Sequence, residues 1–178
     1  MNSENDSVLK DRIKVCDGRL PKGAPATFLN NAKMVKLITD WWKVAMKNPS
    51  SWKCKGTDNN IYTFLNDYLT AYKEVFPEAW DNKNYVLTKT MGFDIIFSIC
   101  NQLTLNAVDI SGVNRLPDKD AFVSILQKVF FTKDDSGNMV PVEVELDGEN
   151  AVPFNWESSI YGSHSSGKGI NILKKIVE

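Results

Sequence analysis

The sequence predicts a mainly α fold of the α+β kind: a compact bundle of four to five helices with a small β-hairpin or edge strand near residues 131–146. Three observations carry this. Apolar residues recur at steps of three and four in several separate segments. Between Val140 and Leu146 the period changes to two. Finally, 178 residues of which 43% are hydrophobic and 24% charged have the composition of an ordered globular chain. At this length about 70% of the unfolded surface can be buried, so a core forms without disulfides or metal.

Residues 1–7 are polar and read as a disordered terminus, leaving 8–178 as a single, mostly helical domain. Ile13 and Val15 alternate across Lys14, the pattern of a short strand that ends at Asp17-Gly18. Leu20 to Pro25 is turn material, because two prolines and a glycine sustain neither regular element. The first helix is predicted over Phe28–Lys47, with Thr27 as N-cap and apolar positions 28, 32, 35, 38, 42, 45 and 46 facing inward. Lys43 and Lys47 suit the negative end of its dipole, and Pro49 stops it.

After the polar loop Asn48–Asn60, Ile61, Phe64, Leu65, Tyr68, Leu69, Tyr72, Val75 and Phe76 outline a second helix. Asp58, Asn59 or Asn60 can cap it, and Pro77 follows its end. A third helix starts near Thr88 and runs to Leu103 or beyond; its broad apolar side makes it the central, most buried element. Asp118 caps a fourth helix with Phe122, Ile125, Leu126, Val129 and Phe130 on one face, and Phe130–Thr132 also reads as β. Asp134–Asn138 is a turn. Val140, Val142, Val144 and Leu146 then alternate with polar residues or proline, and Pro141 marks a sheet edge. Lys168–Glu178 is a closing helix with Ile170, Leu173, Ile176 and Val177 inward.

Charge and cysteine usage narrow the function classes. Twenty-one basic and 22 acidic residues leave a formal charge of −1, so no global excess draws the chain onto nucleic acid or anionic lipid. No apolar run approaches the roughly 18 residues of a membrane span, and MNSENDS lacks the apolar core of a signal peptide. Cys16, Cys54 and Cys100 are odd in number and widely spaced, which reads as free thiols in a reducing, cytoplasmic setting. Cys100 sits in an apolar stretch, as a small core residue would.

Few residues point to chemistry. Gly162–Gly169 matches GxxxxGK, the phosphate-cradling loop, with Lys168 as its lysine. Glycine at 169 replaces the hydroxyl that would hold Mg²⁺, and too little chain follows to build the surrounding parallel sheet. The segment reads instead as a turn with Ser165 or Ser166 capping the last helix, or as a local anion contact with Lys168 beside it. His164 is the single histidine and cannot make a multi-histidine metal site. Lys33, Lys36 and Lys43 on the first helix, followed by Trp52 between Lys53 and Lys55, combine stacking and phosphate-neutralising groups. A solvated lysine face of an amphipathic helix has the same appearance. Trp42 falls on the inward face of that helix, whereas Trp41 and Trp52 lie where the chain is polar. No catalytic residue, cofactor or metal ligand is assigned.

Ser7-Val-Leu-Lys-Asp-Arg-Ile13, Phe76-Pro-Glu-Ala-Trp80, Leu87-Thr-Lys-Thr-Met-Gly92 and Ser163–Lys168 with its terminal helix occur in an order that spans nearly the whole chain. In these strings the sequence resembles the C-terminal half of DGQHR-domain proteins, relatives of the DNA-phosphorothioation control protein. The Asp-Gly-Gln-His-Arg motif itself is absent, and Asp17-Gly18-Arg19 lacks its glutamine and histidine. That motif belongs to a ParB-like N-terminal half for which the chain has no room, so no catalytic residue carries over. The resemblance implies a helical module of a bacterial or phage DNA-modification or defence system, acting by regulation or partner contact. Three function classes follow: a non-enzymatic protein-binding module, a direct nucleic-acid binder using the lysine/tryptophan surface, and a nucleotide-binding enzyme.

Overall fold

Helix α1 begins where a side chain closes its first turn. The computed structural model describes residues 6–10, 12–14, 29–47, 58–111, 116–145, 151–157 and 166–177. In it α1 spans Asn31–Lys47, and the Asn30 side-chain oxygen accepts a hydrogen bond from the Ala32 N–H at 2.8 Å. Asn30 therefore takes the capping role expected of Thr27, and the helix starts three residues later than its apolar period indicates. The reason is β pairing: strand β1 (Ile13–Lys14) runs parallel to β2 (Leu29–Asn30), which holds Leu29 extended and fully buried. Thr27 and Phe28 lie outside the described residues.

The inward face of α1 matches the predicted one in part: Ala45 is buried and Ile38 and Trp42 are half-buried, but Ala32 and Val35 are exposed. Met34, Leu37, Trp41 and Ala45 are buried, whereas Val35 is 56% and Val44 52% exposed. Two apolar stripes, each fitting the helical period, lie one residue and about 100° apart on this helix. The stripe carrying Trp41 packs inward, and its ring stacks on Phe64 at 5.4 Å. Trp42 is only half-buried at the edge of the core.

Helix α2 spans Asp58–Val75, α3 Thr90–Ser111, α4 Lys119–Phe130 and α5 Ser166–Val177. With α1 these make five helices among the described residues. As its composition predicts, α3 is the central element. It packs against α1, α4 and α5 and buries Phe93, Ile95, Ile96, Phe97, Ile99, Cys100, Leu103 and Thr104. Helix α2 packs on α4, and its buried Tyr68 hydroxyl donates to the Ile96 carbonyl in mid-α3 at 2.6 Å. In α5, Leu173 and Val177 are buried as expected; Ile172 joins them, while Ile170 and Ile176 are half-buried. The N-terminal segment is tied to α2 from Asp6 onward. Tyr62 donates to the Asp6 carboxylate at 2.7 Å, and the Val8 N–H donates to Asn66 at 2.9 Å.

Asp118 caps α4 as the sequence indicates. Its backbone is extended, with φ −89° and ψ 179°, and its carboxylate accepts from the Ala121 N–H. Asp118→Ala is expected to cost about 1 kcal/mol, and Asp118→Asn much less, because asparagine keeps the acceptor. Urea denaturation of the two variants checks this.

Two antiparallel strand pairs follow. Strands β3 (Phe131–Lys133) and β4 (Met139–Pro141) pair with Phe131 opposite Pro141. The connecting turn is built by Asp134, whose carboxylate accepts from the Ser136 and Asn138 N–H groups. The hydrogen bond from the Asn138 backbone is the main cause holding its carboxyl below the usual value. Gly137 supplies the positive φ of 83°.

The alternating run predicted as one strand to residue 146 breaks at Val142. Its N–H donates to the Phe130 carbonyl and its own carbonyl accepts from Phe154. Strand β5 (Glu143–Val144) therefore pairs with β6 (Val152–Pro153) instead of continuing along β3. Leu146 lies outside the described residues. Among the described residues no helix is long and apolar enough to cross a membrane.

Candidate functional site

Of the lysine/tryptophan surface, Lys33, Lys36 and Lys43 fall among the described residues, and two of these three face carboxylates. Lys33 pairs with Asp94 of α3 at 2.5 Å, and both side chains are largely covered. Lys36 pairs with Asp40 one turn on, and that bond raises the lysine and lowers the carboxyl from their ordinary values. Lys43 is exposed. Trp52, Lys53, Lys55, Ser165 and His164 lie outside the described residues, as do Cys16 and Cys54. Ser166 and Lys168 fall in the first turn of α5, where the backbone alone is described.

The core carries hydroxyls and a thiol, all made inert by their surroundings. Cys100 is fully buried, and burial pushes its thiol far above the ordinary value, which is the opposite of an activated nucleophile. Tyr68 and Tyr72 are likewise held neutral, chiefly by burial. Among the described residues no three His, Cys, Asp or Glu side chains form a group able to hold a metal ion.

An aromatic pocket of about 340 Å³ is the arrangement best suited to bind something. Three stretches far apart in sequence build it: the end of α2 with the chain beyond it (Val75–Ala79, Tyr85), the Phe131/Pro141 rung of the β3–β4 hairpin, and Phe154–Glu157 after β6. Each is positioned by local rules. Pro77 follows the last turn of α2, whose Phe76 N–H still bonds back to Tyr72. At the end of α4 the backbone turns extended at Phe131, and Phe130 and Phe131 both pack on Phe76, at 5.5 and 5.8 Å. Phe130 is wholly buried and Phe131 half-buried. Phe154 and Trp156, two residues apart, both turn inward.

These rings interlock. Phe76 stacks on Phe131 at 5.8 Å and meets Trp156 edge-on at 5.6 Å, while Phe154 and Trp156 meet at 5.3 Å. Tyr85 forms an isolated antiparallel bridge with Glu157, and the Val86 N–H donates to the Trp156 carbonyl at 2.8 Å. Phe154 and Trp156 form the floor; half-buried Phe76, Tyr85 and Phe131 form the walls; Glu78 and Glu157 stand exposed at the rim.

Beside the pocket the chain already holds a guanidinium between a ring and a carboxylate. Arg12 lies over the Trp80 ring at 5.4 Å and pairs with Asp81 at 2.9 Å. Asp81 has φ of 63°, a left-handed conformation that aspartate tolerates better than most residues.

Sequence reasoning placed Phe76 on the α2 face but singled out none of Glu78, Tyr85, Phe131, Pro141, Trp156 or Glu157 for binding. The available signals were the proline directly after an aromatic helix end and the Phe-Asn-Trp alternation at 154–156. Comparison of the chain with protein-family models, with curated proteins and with solved structures finds no match.

Proposed function

We propose that the chain is a non-enzymatic interaction module that docks a protein partner through the aromatic pocket. The observation that carries this reading is the pocket itself. Three large rings, Phe76, Tyr85 and Phe131, stay only half-buried around a preformed concavity. Aromatic anchors in a concave site are the usual hot spots of protein recognition. The resemblance to DGQHR-domain proteins supports placing the module in a bacterial or phage DNA-modification or defence system, in the cytoplasm. Nucleic-acid binding through α1 is the weaker reading, since Lys33 and Lys36 already face carboxylates.

Affinity purification of the tagged chain from its native cell tests the docking. A partner should co-purify with the unmodified chain and be lost from the double variant Tyr85→Ser/Phe131→Ser, provided that variant still melts cooperatively. Recovery of the same partner by both chains, or of none by either, overturns the proposal.

A further inference from the structure

We infer that the pocket takes the arginine side chain of a basic segment in its partner, a step that rests on the docking role proposed above. Three features of the same concavity converge on a cation. Phe76, Tyr85 and Phe131 line the walls, and an aromatic ring attracts a guanidinium or ammonium within about 6 Å of its centroid. The rim carries Glu78 and Glu157, both exposed and without an ion-pair partner among the described residues.

The third feature is the backbone. Phe122 rests on Phe64 and Tyr68, and Phe130 on Phe76. Helices α2 and α4 therefore run the same way and both end at the pocket, α2 at Val75 and α4 at Phe130. A helix C-terminus carries partial negative charge from its aligned peptide dipoles, and here the Phe130 carbonyl is held by the Val142 N–H and the Tyr72 carbonyl by the Phe76 N–H. Lys73 and Lys128, in the last turns, are exposed and do not line the cavity.

Arginine fits this combination better than lysine. Its guanidinium is flat, stacks on rings, sheds water more readily and offers a fork of donors to carboxylates. Arg12 against Trp80 and Asp81 shows the same ring-plus-carboxylate grip within this fold. The rim carboxylates repel a phosphate backbone, so a nucleic acid is disfavoured at this face.

Titration of the full chain with a capped peptide of alternating glycine and arginine, followed by amide NMR shifts, tests the inference. Shifts should concentrate at Glu78, Tyr85, Phe131 and Glu157. Affinity should fall at least about fivefold in Glu78→Gln/Glu157→Gln, whose exposed substitutions leave the fold intact, and should weaken with salt. The lysine counterpart should bind more weakly. Equal binding of a proline-rich apolar peptide, equal binding of the lysine peptide, an unchanged affinity in the double glutamine variant, or self-association that fills the pocket would each overturn it. The two readings fail separately. If the glutamine variant still captures the partner that Tyr85→Ser/Phe131→Ser loses, docking stands and the cationic anchor is wrong. If neither variant alters capture, docking itself is wrong.

Discussion

Replacing Trp156 with alanine is expected to destabilise the chain by about 3–5 kcal/mol, the largest effect of any single truncation discussed. Trp156 is 1% exposed and meets Tyr72, Phe76, Phe130 and Phe154, with ring centroids between 5.3 and 6.4 Å. Removing the indole leaves a cavity bounded by rings fixed in helices and strands, which cannot collapse to fill it. The Trp156 carbonyl also holds Val86, but that backbone bond survives the substitution, so the loss reads ring packing. Thermal unfolding should show a midpoint lower by about 10 °C. Val35→Ser is the control: Val35 is 56% exposed, and its loss should move stability by no more than about 0.5 kcal/mol. A Trp156→Ala midpoint matching the unmodified chain would contradict the aromatic core described above.

Gly92→Ala is expected to cost about 2–3 kcal/mol, although alanine is the better helix former. A Cβ at position 92 would stand 2.1 Å from the Val86 carbonyl oxygen and 2.3 Å from that of Leu87. Both obstacles are backbone, and Val86 is held to Trp156, so the first turn of α3 must move away from the 86–87 segment. Gly137→Ala separates this steric cause from simple glycine chemistry. Position 137 has φ of 83° with nothing within 4 Å of the added carbon, so its penalty is the left-handed backbone alone, roughly 1–2 kcal/mol. Urea midpoints should therefore rank Gly92→Ala below Gly137→Ala; a Gly92→Ala chain as stable as the parent would mean that α3 and residues 86–87 are not in contact.

The helices were legible because each buries one face, and burial of one face imposes a period of three to four on the sequence. Asp118 was legible as a cap because its effect is local. Where two solutions satisfied the same local rule, the outcome was set by distant residues. On α1, the stripes through Trp41 and Trp42 are equivalent by spacing, and Phe64 decides between them by stacking on Trp41. The α1 start shifts from Thr27 to Asn30 because the parallel partner Ile13, sixteen residues back along the chain, claims Leu29. Likewise, alternation from Val140 onward predicts an exposed edge but not that Val142 switches partners from Phe130 to Phe154.

The pocket was least legible of all. Its walls come from the end of a helix, one rung of a hairpin and a short segment after β6, and no spacing rule links residues 76, 131 and 156. The basic and tryptophan-bearing positions that stood out in sequence drew attention because they cluster along the chain. In the fold, Lys33 and Lys36 are answered by Asp94 and Asp40.

The most direct measurement is amide hydrogen exchange of the full chain, alone and with the partner that co-purifies with it. Docking through the aromatic pocket predicts slowed exchange concentrated in residues 76–85, 131–141 and 154–157, with α1 unchanged. Protection concentrated instead on the exposed side of α1, with those three stretches exchanging as they do in the free chain, would contradict it.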